Sequence, residues 1–98
     1  MKDQMDRSNK LHNANIGETI TIGRSSVCDL AFNDKTVSRH HCKIISDGNR
    51  TVIYDLDSKY GTHINGIKKK SSRLKNGDSV RIGNSYLSYT AGNVQVIE

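Results

Sequence analysis

Turn signals punctuate this sequence so often that no long element fits between them. Asp47-Gly48-Asn49, Asn65-Gly66, Asn76-Gly77-Asp78, Gly83-Asn84-Ser85 and Gly92-Asn93 recur at short intervals. Glycine reaches the positive φ of tight turns, and Asn and Asp tolerate it, so each is a place where the backbone reverses. Between them lie Thr51–Leu56, Thr62–Ile64, Ser79–Ile82, Tyr86–Tyr89 and Val94–Ile97, all short and most rich in strand formers. Val80 and Ile82 alternate with Ser79 and Arg81, and Ile20 and Ile22 alternate with threonines, as on strands buried on one face. Cys28–Phe32, closed by Asn33-Asp34, and Cys42–Ile45 are further short runs. Thr51–Leu56 is apolar on both faces, which predicts a central strand or one carrying a bulge. Proline is absent and no amphipathic helical period occurs. The pattern predicts an all-β fold, an antiparallel β-sandwich of roughly ten or eleven short strands.

With 98 residues, one domain is expected, able to bury a core without disulfides or metal. At 34% hydrophobic residues, that core is a thin one between two layers. Residues 1–15 are polar, with Met5 and Leu11 isolated, and predict a disordered tail ahead of a folded domain over 16–98. No apolar run reaches the length of a membrane span. Cys28 and Cys42 form no CxxC pair and no secretory signal opens the chain, so both read as reduced core thiols of a cytoplasmic protein. A formal net charge of +5 suits a nucleic acid, an anionic membrane or a phosphorylated partner without choosing among them.

The chemistry-bearing residues fall where the strand runs stop or start. They are Gly23-Arg24-Ser25, Thr36-Val37-Ser38-Arg39-His40-His41, Ser58-Lys59-Tyr60-Gly61-Thr62 and Asn65-Gly66. Loops at one end of a sandwich gather from strands distant in sequence. Arg, Ser and Lys brought together from separate loops make a poor catalytic set but a good cradle for a dianionic phosphate.

The ordered set Gly23-Arg24, Ser38-Arg39-His40-His41 and Asp55 through Gly66 resembles the forkhead-associated (FHA) domain. That family's signature runs Gly-Arg, Ser-x-x-His, Asn-Gly-Thr and Asn-Gly, and the resemblance spans roughly Gly17 to Glu98. It implies a β-sandwich that binds phosphothreonine segments of partner proteins, downstream of a Ser/Thr kinase. It also implies that Arg24 and Ser38 contact phosphate and that Arg39 reaches phosphate or peptide backbone. Lys59 stands where relatives often carry Thr, Ser or Asn against the phosphate. Tyr60 departs from the pattern, since many relatives have there an Asn that holds the peptide backbone. Gly23, His41, Gly61, Thr62 and Asn65 are implied supports: His41 as a brace, Gly61 at positive φ, Thr62 and Asn65 through side chain-to-backbone bonds. Asp55 is expected to anchor one of the nearby basic residues. Relatives usually begin with an apolar strand before the Gly-Arg segment. The polar 1–15 stretch has none, so a sheet edge is expected to be short, open or covered by another chain.

Rival readings differ in what they need. His40, His41 and Cys42 are consecutive and point to alternating sides of an extended chain, and no second ligand pair has zinc spacing, so no metal or cofactor is expected. Ser38 and His41 lack a nucleophile elbow, and no Gly-rich phosphate loop opens a helix, so the chain does not read as an enzyme. Lys68-Lys69-Lys70, Arg73 and Lys75 could track a nucleic-acid backbone, but aromatics for stacking are few. The same run also reads as a charged edge strand that discourages sheet pairing. A third reading is an FHA-like scaffold that has lost phosphopeptide binding; Tyr60 speaks for it, Arg24 and Ser38 against.

Overall fold

The alternating runs become two packed sheets. The computed structural model describes residues 11–13, 18–48 and 50–97. Its strands, in chain order, are β1 (Leu11–Asn13), β2 (Thr19–Gly23), β3 (Leu30–Ala31), β4 (Cys42–Ser46), β5 (Thr51–Asp55) and β6 (Thr62–Ile64), then β7 (Ile67–Lys68), β8 (Ser71–Arg73), β9 (Asp78–Ile82), β10 (Ser85–Thr90) and β11 (Asn93–Ile97). One sheet is ordered β1-β11-β10-β9-β6-β7, the other β3-β2-β4-β5-β8. Pairing is antiparallel except for β2 with β3, which run parallel with Ile22 opposite Leu30.

The period-2 pattern decides which residues face inward. Val80 and Ile82 of β9 are buried while Ser79 is exposed and Arg81 half-buried. Ile20, Ile22, Leu30, Ile44 and Ile53 from one sheet meet Ile64, Val80, Ile82, Leu87, Val94 and Val96 from the other. Each such side chain contributes on the order of 2 kcal/mol by leaving water. The core also takes Val37 from the loop before β4, fully buried, and Leu74 from the loop after β8. β5 lies between β4 and β8 in unbroken register, so its two apolar faces mark an interior strand and not a bulge.

The predicted tail is corrected in part. Leu11–Asn13 pair with Gln95–Asn93 and add β1 to the edge of the larger sheet. Three residues are too few to display a period, and a ladder recruits backbone whatever the side chains are. The rest of the expected tail, 1–10 and 14–15, lies outside the described residues.

The basic run sits at both sheet edges. β7 closes one sheet and β8 the other. Between them the chain crosses over: Lys69 N–H donates to the Thr62 carbonyl of one sheet, and the Lys70 carbonyl accepts from Asp55 N–H of the other. Charge here fits the edge-protecting reading of the run. Both cysteines are free and buried.

Candidate functional site

Three loops meet at one end of the sandwich, and hydrogen bonds fasten them together. After β2, Arg24 N–H donates to the Ser38 carbonyl at 2.9 Å and Ser25 N–H to the Arg39 carbonyl at 3.1 Å. This close seam explains Gly23: a Cβ there would collide with the carbonyl of Arg39. After β5, Lys59 N–H donates to Ser38 Oγ at 3.0 Å. Ser38 is therefore not capping its own loop. It receives the neighbouring one and keeps its own hydroxyl proton to give away.

Arg24 is exposed, and its Nε–H donates to the Val37 carbonyl at 3.0 Å. That bond fixes the guanidinium plane and leaves the terminal nitrogens, which have no partner among the described residues. A planar fork next to a hydroxyl suits two or three phosphate oxygens.

His41 is 0% exposed and holds the loops from beneath. Its Nδ1 lies 3.1 Å from Ser38 N, which can only donate, so Nδ1 accepts. The ring proton then sits on Nε2 and is donated to the Gly61 carbonyl at 2.9 Å. One neutral imidazole thus ties the Ser38 loop to the Gly61 loop. Burial, the largest influence, holds its pKa below the ordinary imidazole value, against the opposing pull of the Gly61 carbonyl and Asp55.

Asp55 corrects an expectation. It anchors no basic residue among the described residues. Its carboxylate accepts from Ser58 N–H at 3.1 Å, Ser58 Oγ–H at 2.6 Å and Thr62 Oγ–H at 2.7 Å. Ser58 Oγ in turn accepts from Gly61 N–H at 2.9 Å. Burial pushes the Asp55 pKa up, but the Ser58 and Thr62 bonds outweigh it and leave the carboxyl below its usual range. Thr62 therefore fixes the loop through this carboxylate and not through backbone. Gly61 has φ 88°, the left-handed conformation its position implied.

The remaining predicted residues are placed as follows. Asn65 accepts from Ser79 N–H and donates to Asp78 Oδ1, each at 2.9 Å, clamping the β6–β7 turn to β9. The Arg39 side chain is exposed, with no partner among the described residues. Tyr60 is 51% exposed, and the Lys59 ammonium rests over its ring, 5.6 Å from the centroid. The two residues least like the family pattern thus hold each other by a cation–π contact.

Sequence reasoning missed a fourth support. Asp34 Oδ1 accepts from Thr36 N–H and Oγ–H, and its Oδ2 accepts from Ser85 Oγ–H at 2.6 Å. Thr36 Oγ also accepts from Asn84 N–H at 2.7 Å. The Ser38 loop is thereby locked to the β9–β10 turn. The bond from Ser85, then those from Thr36, keep the Asp34 pKa low. The Asp-x-Thr spacing is a readable turn signal, but its partner 48 residues away is not. Gly83 at φ 59° completes the contact, since a Cβ would strike the Thr36 carbonyl. Gly83→Ala is expected to destabilise the protein by about 1–3 kcal/mol, read as a lower urea midpoint. An unchanged midpoint would show that the turn yields freely.

Comparison with known proteins places these features in a family. The FHA domain profile matches residues 20–83. The chain is 37% identical over 76 residues to an oxoglutarate dehydrogenase inhibitor of Corynebacterium jeikeium, covering 78% of this chain and 53% of that protein. It spans about half the length of the curated relatives it matches, 53%, 47% and 52% for three of them. Among solved structures it is similar to the second FHA domain of a Mycobacterium tuberculosis ABC transporter, with TM-score 0.73, 28% identity and coverage of 100% of this chain and 91% of the other. It is also similar to an FHA domain studied for phosphothreonine-dependent interactions, with TM-score 0.69, 28% identity and coverage of 86% and 79%. The matched stretch runs from β2 through the turn at Gly83 and so contains Arg24, Ser38, His41 and the Lys59 turn together, and this chain belongs to the forkhead-associated family.

Proposed function

We propose that this chain is a non-catalytic recognition module that binds phosphothreonine segments of partner proteins, with Arg24, Ser38, Arg39, Lys59 and Tyr60 as the contact residues. The observation that carries the reading is the convergence of the Arg24 guanidinium and the Ser38 hydroxyl, from loops already bonded to each other and to the Lys59 turn. A phosphothreonine brings a charge of about −1.5 to −2 and three acceptor oxygens, which this donor set complements. The related domain with phosphothreonine-dependent interactions supports the same use of the site. Ser38 and His41 do not form a nucleophile–base pair: His41 Nδ1 accepts from Ser38 N–H, not from its hydroxyl. The partner is a protein marked by a Ser/Thr kinase, and two free, buried thiols fit work in the cytoplasm. No helix among the described residues is long and apolar enough to cross a membrane.

Titration with matched phosphothreonine, phosphoserine and unmodified peptide libraries tests the reading. Tight binding confined to phosphothreonine is expected. Affinity indifferent to phosphorylation, or retention of duplex DNA with steep salt dependence, would overturn it.

Tyr60 is where this chain leaves its family, so a reversion is informative. Tyr60→Asn is expected to tighten a phosphothreonine peptide roughly three- to tenfold, by adding one or two amide hydrogen bonds to peptide backbone. Calorimetry with one fixed peptide measures it. A weaker complex would show instead that the Tyr60 ring, with Lys59 upon it, serves the peptide better than an amide does.

A further inference from the structure

The end of the sandwich opposite the phosphate cradle carries a second charged groove. The β4–β5, β8–β9 and β10–β11 connections enclose a volume of about 850 Å³. Arg50, Arg73 and Lys75 line it, and no carboxylate does among the described residues.

The groove is built, not accidental. Its β8–β9 connection is bonded to β5, to β10 and to the β10–β11 turn: Leu74 N–H to the Thr51 carbonyl at 2.7 Å, Gly77 N–H to the Tyr89 carbonyl at 2.8 Å, and Ala91 N–H to Asn76 Oδ1 at 2.8 Å. Its lining includes a directed chain of hydroxyls. Tyr89 Oη–H donates to Thr51 Oγ at 3.0 Å, and Thr51 Oγ–H donates to Ser46 Oγ at 3.4 Å. Ser46 and Thr51 are both buried, so the chain runs inward from the half-buried Tyr89. Asp47 accepts from Arg50 N–H, and Asp78 from Lys75 N–H and the Asn65 amide. The Arg50 and Lys75 side chains have no ion-pair partner among the described residues. The half-buried Tyr89 and the exposed Ala91 add apolar lining, with the core residue Leu74 beneath.

Cations carried on separate turns, with the half-buried Tyr89 and the exposed Ala91 among them, do not suit one compact ion. They suit an extended chain with spaced negative charges. We infer that this groove binds an acidic segment of a partner protein, its carboxylates against Arg50 and Lys75 and its apolar side chains against Tyr89 and Ala91. The module then grips two features at once, a phosphothreonine at one end and an acidic stretch at the other. None of the phosphothreonine contacts takes part in this second site.

Amide chemical-shift titration of the whole chain tests it with hexaglutamate, hexaglutamine and inorganic phosphate as separate probes. Hexaglutamate is expected to shift the amides of Gly48, Lys75, Asn76 and Gly92, in Arg24→Ala as in wild type. The exposed double variant Arg50→Gln/Lys75→Gln is expected to lose about fivefold or more in hexaglutamate affinity while keeping its phosphothreonine affinity. The inference is overturned if hexaglutamate shifts only Arg24, Ser38 and Lys59 amides, if the double variant binds it as wild type does, or if inorganic phosphate or hexaglutamine binds the groove equally well. A phosphothreonine peptide in the same series reports on the other site alone, so either reading can fail without the other.

Discussion

Arg24→Ala is expected to weaken a phosphothreonine peptide by roughly 30- to 1000-fold, or about 2–4 kcal/mol, as measured by calorimetry or fluorescence anisotropy. The magnitude follows from what is removed. A guanidinium facing a dianion makes charge-assisted hydrogen bonds, each stronger than a neutral one, and two can form side by side. The phosphate left behind would still be partly withdrawn from water with fewer donors around it. The fold should hardly notice, because Arg24 is exposed and gives it only the Nε–H bond to the Val37 carbonyl. Binding should therefore collapse while the melting temperature moves little. Arg24→Lys should recover only part of the affinity, since an ammonium keeps the charge but neither the fork nor the Val37 anchor. Full binding by Arg24→Ala would remove the phosphate cradle from this end of the molecule.

His41→Ala is expected to cost about 3–5 kcal/mol of unfolding free energy, read from chemical denaturation. It leaves a buried cavity and strands two polar groups, Ser38 N–H and the Gly61 carbonyl. Against a typical total of about 5–15 kcal/mol, this is a large share. Phosphopeptide affinity should fall too, because both loops lose their common brace. The pH dependence carries a sign. The folded-state pKa of His41 is depressed, so its contribution is complete above the unfolded imidazole pKa of about 6.5 and is lost as pH falls from there toward the lower folded value. Wild-type stability should decline over that window, and the decline should be shallower in His41→Ala. A variant as stable as wild type, with the same pH profile, would mean that the two loops hold without the imidazole.

The strands were legible because their physics is local. Alternation places Ile20, Ile22, Val80 and Ile82 inward, and the Asn-Gly pair makes its hairpin with φ 50° and 88° at Asn65 and Gly66. Arg24 and Ser38 were legible as loop residues, the family resemblance supplied their order, and the structure bonds their loops to each other. What stayed hidden depends on long-range partners. Val37 reads as one apolar residue in a polar loop, yet it is fully buried. Asp55 has basic neighbours in sequence, but Ser58 and Thr62 hydroxyls reach it first. Asp34 and Thr36 find Ser85 and Asn84 only after the sheets have packed. β1 exists because β11 offers a free ladder edge, which no pattern within Leu11–Asn13 announces.

The bonds that fasten Arg24, Ser38 and the Lys59 turn to one another have a kinetic consequence. A site whose loops are already joined in the free protein has little rearranging left to do at encounter. Association should then follow a single phase in the ordinary range of about 10⁵–10⁷ M⁻¹s⁻¹, quickened at low salt by the positive charge of the chain. Partners that differ in the residues around their phosphothreonine would differ chiefly in how long they stay. The dwell time of the complex, more than the speed of capture, is where such a module tells one phosphorylated chain from another.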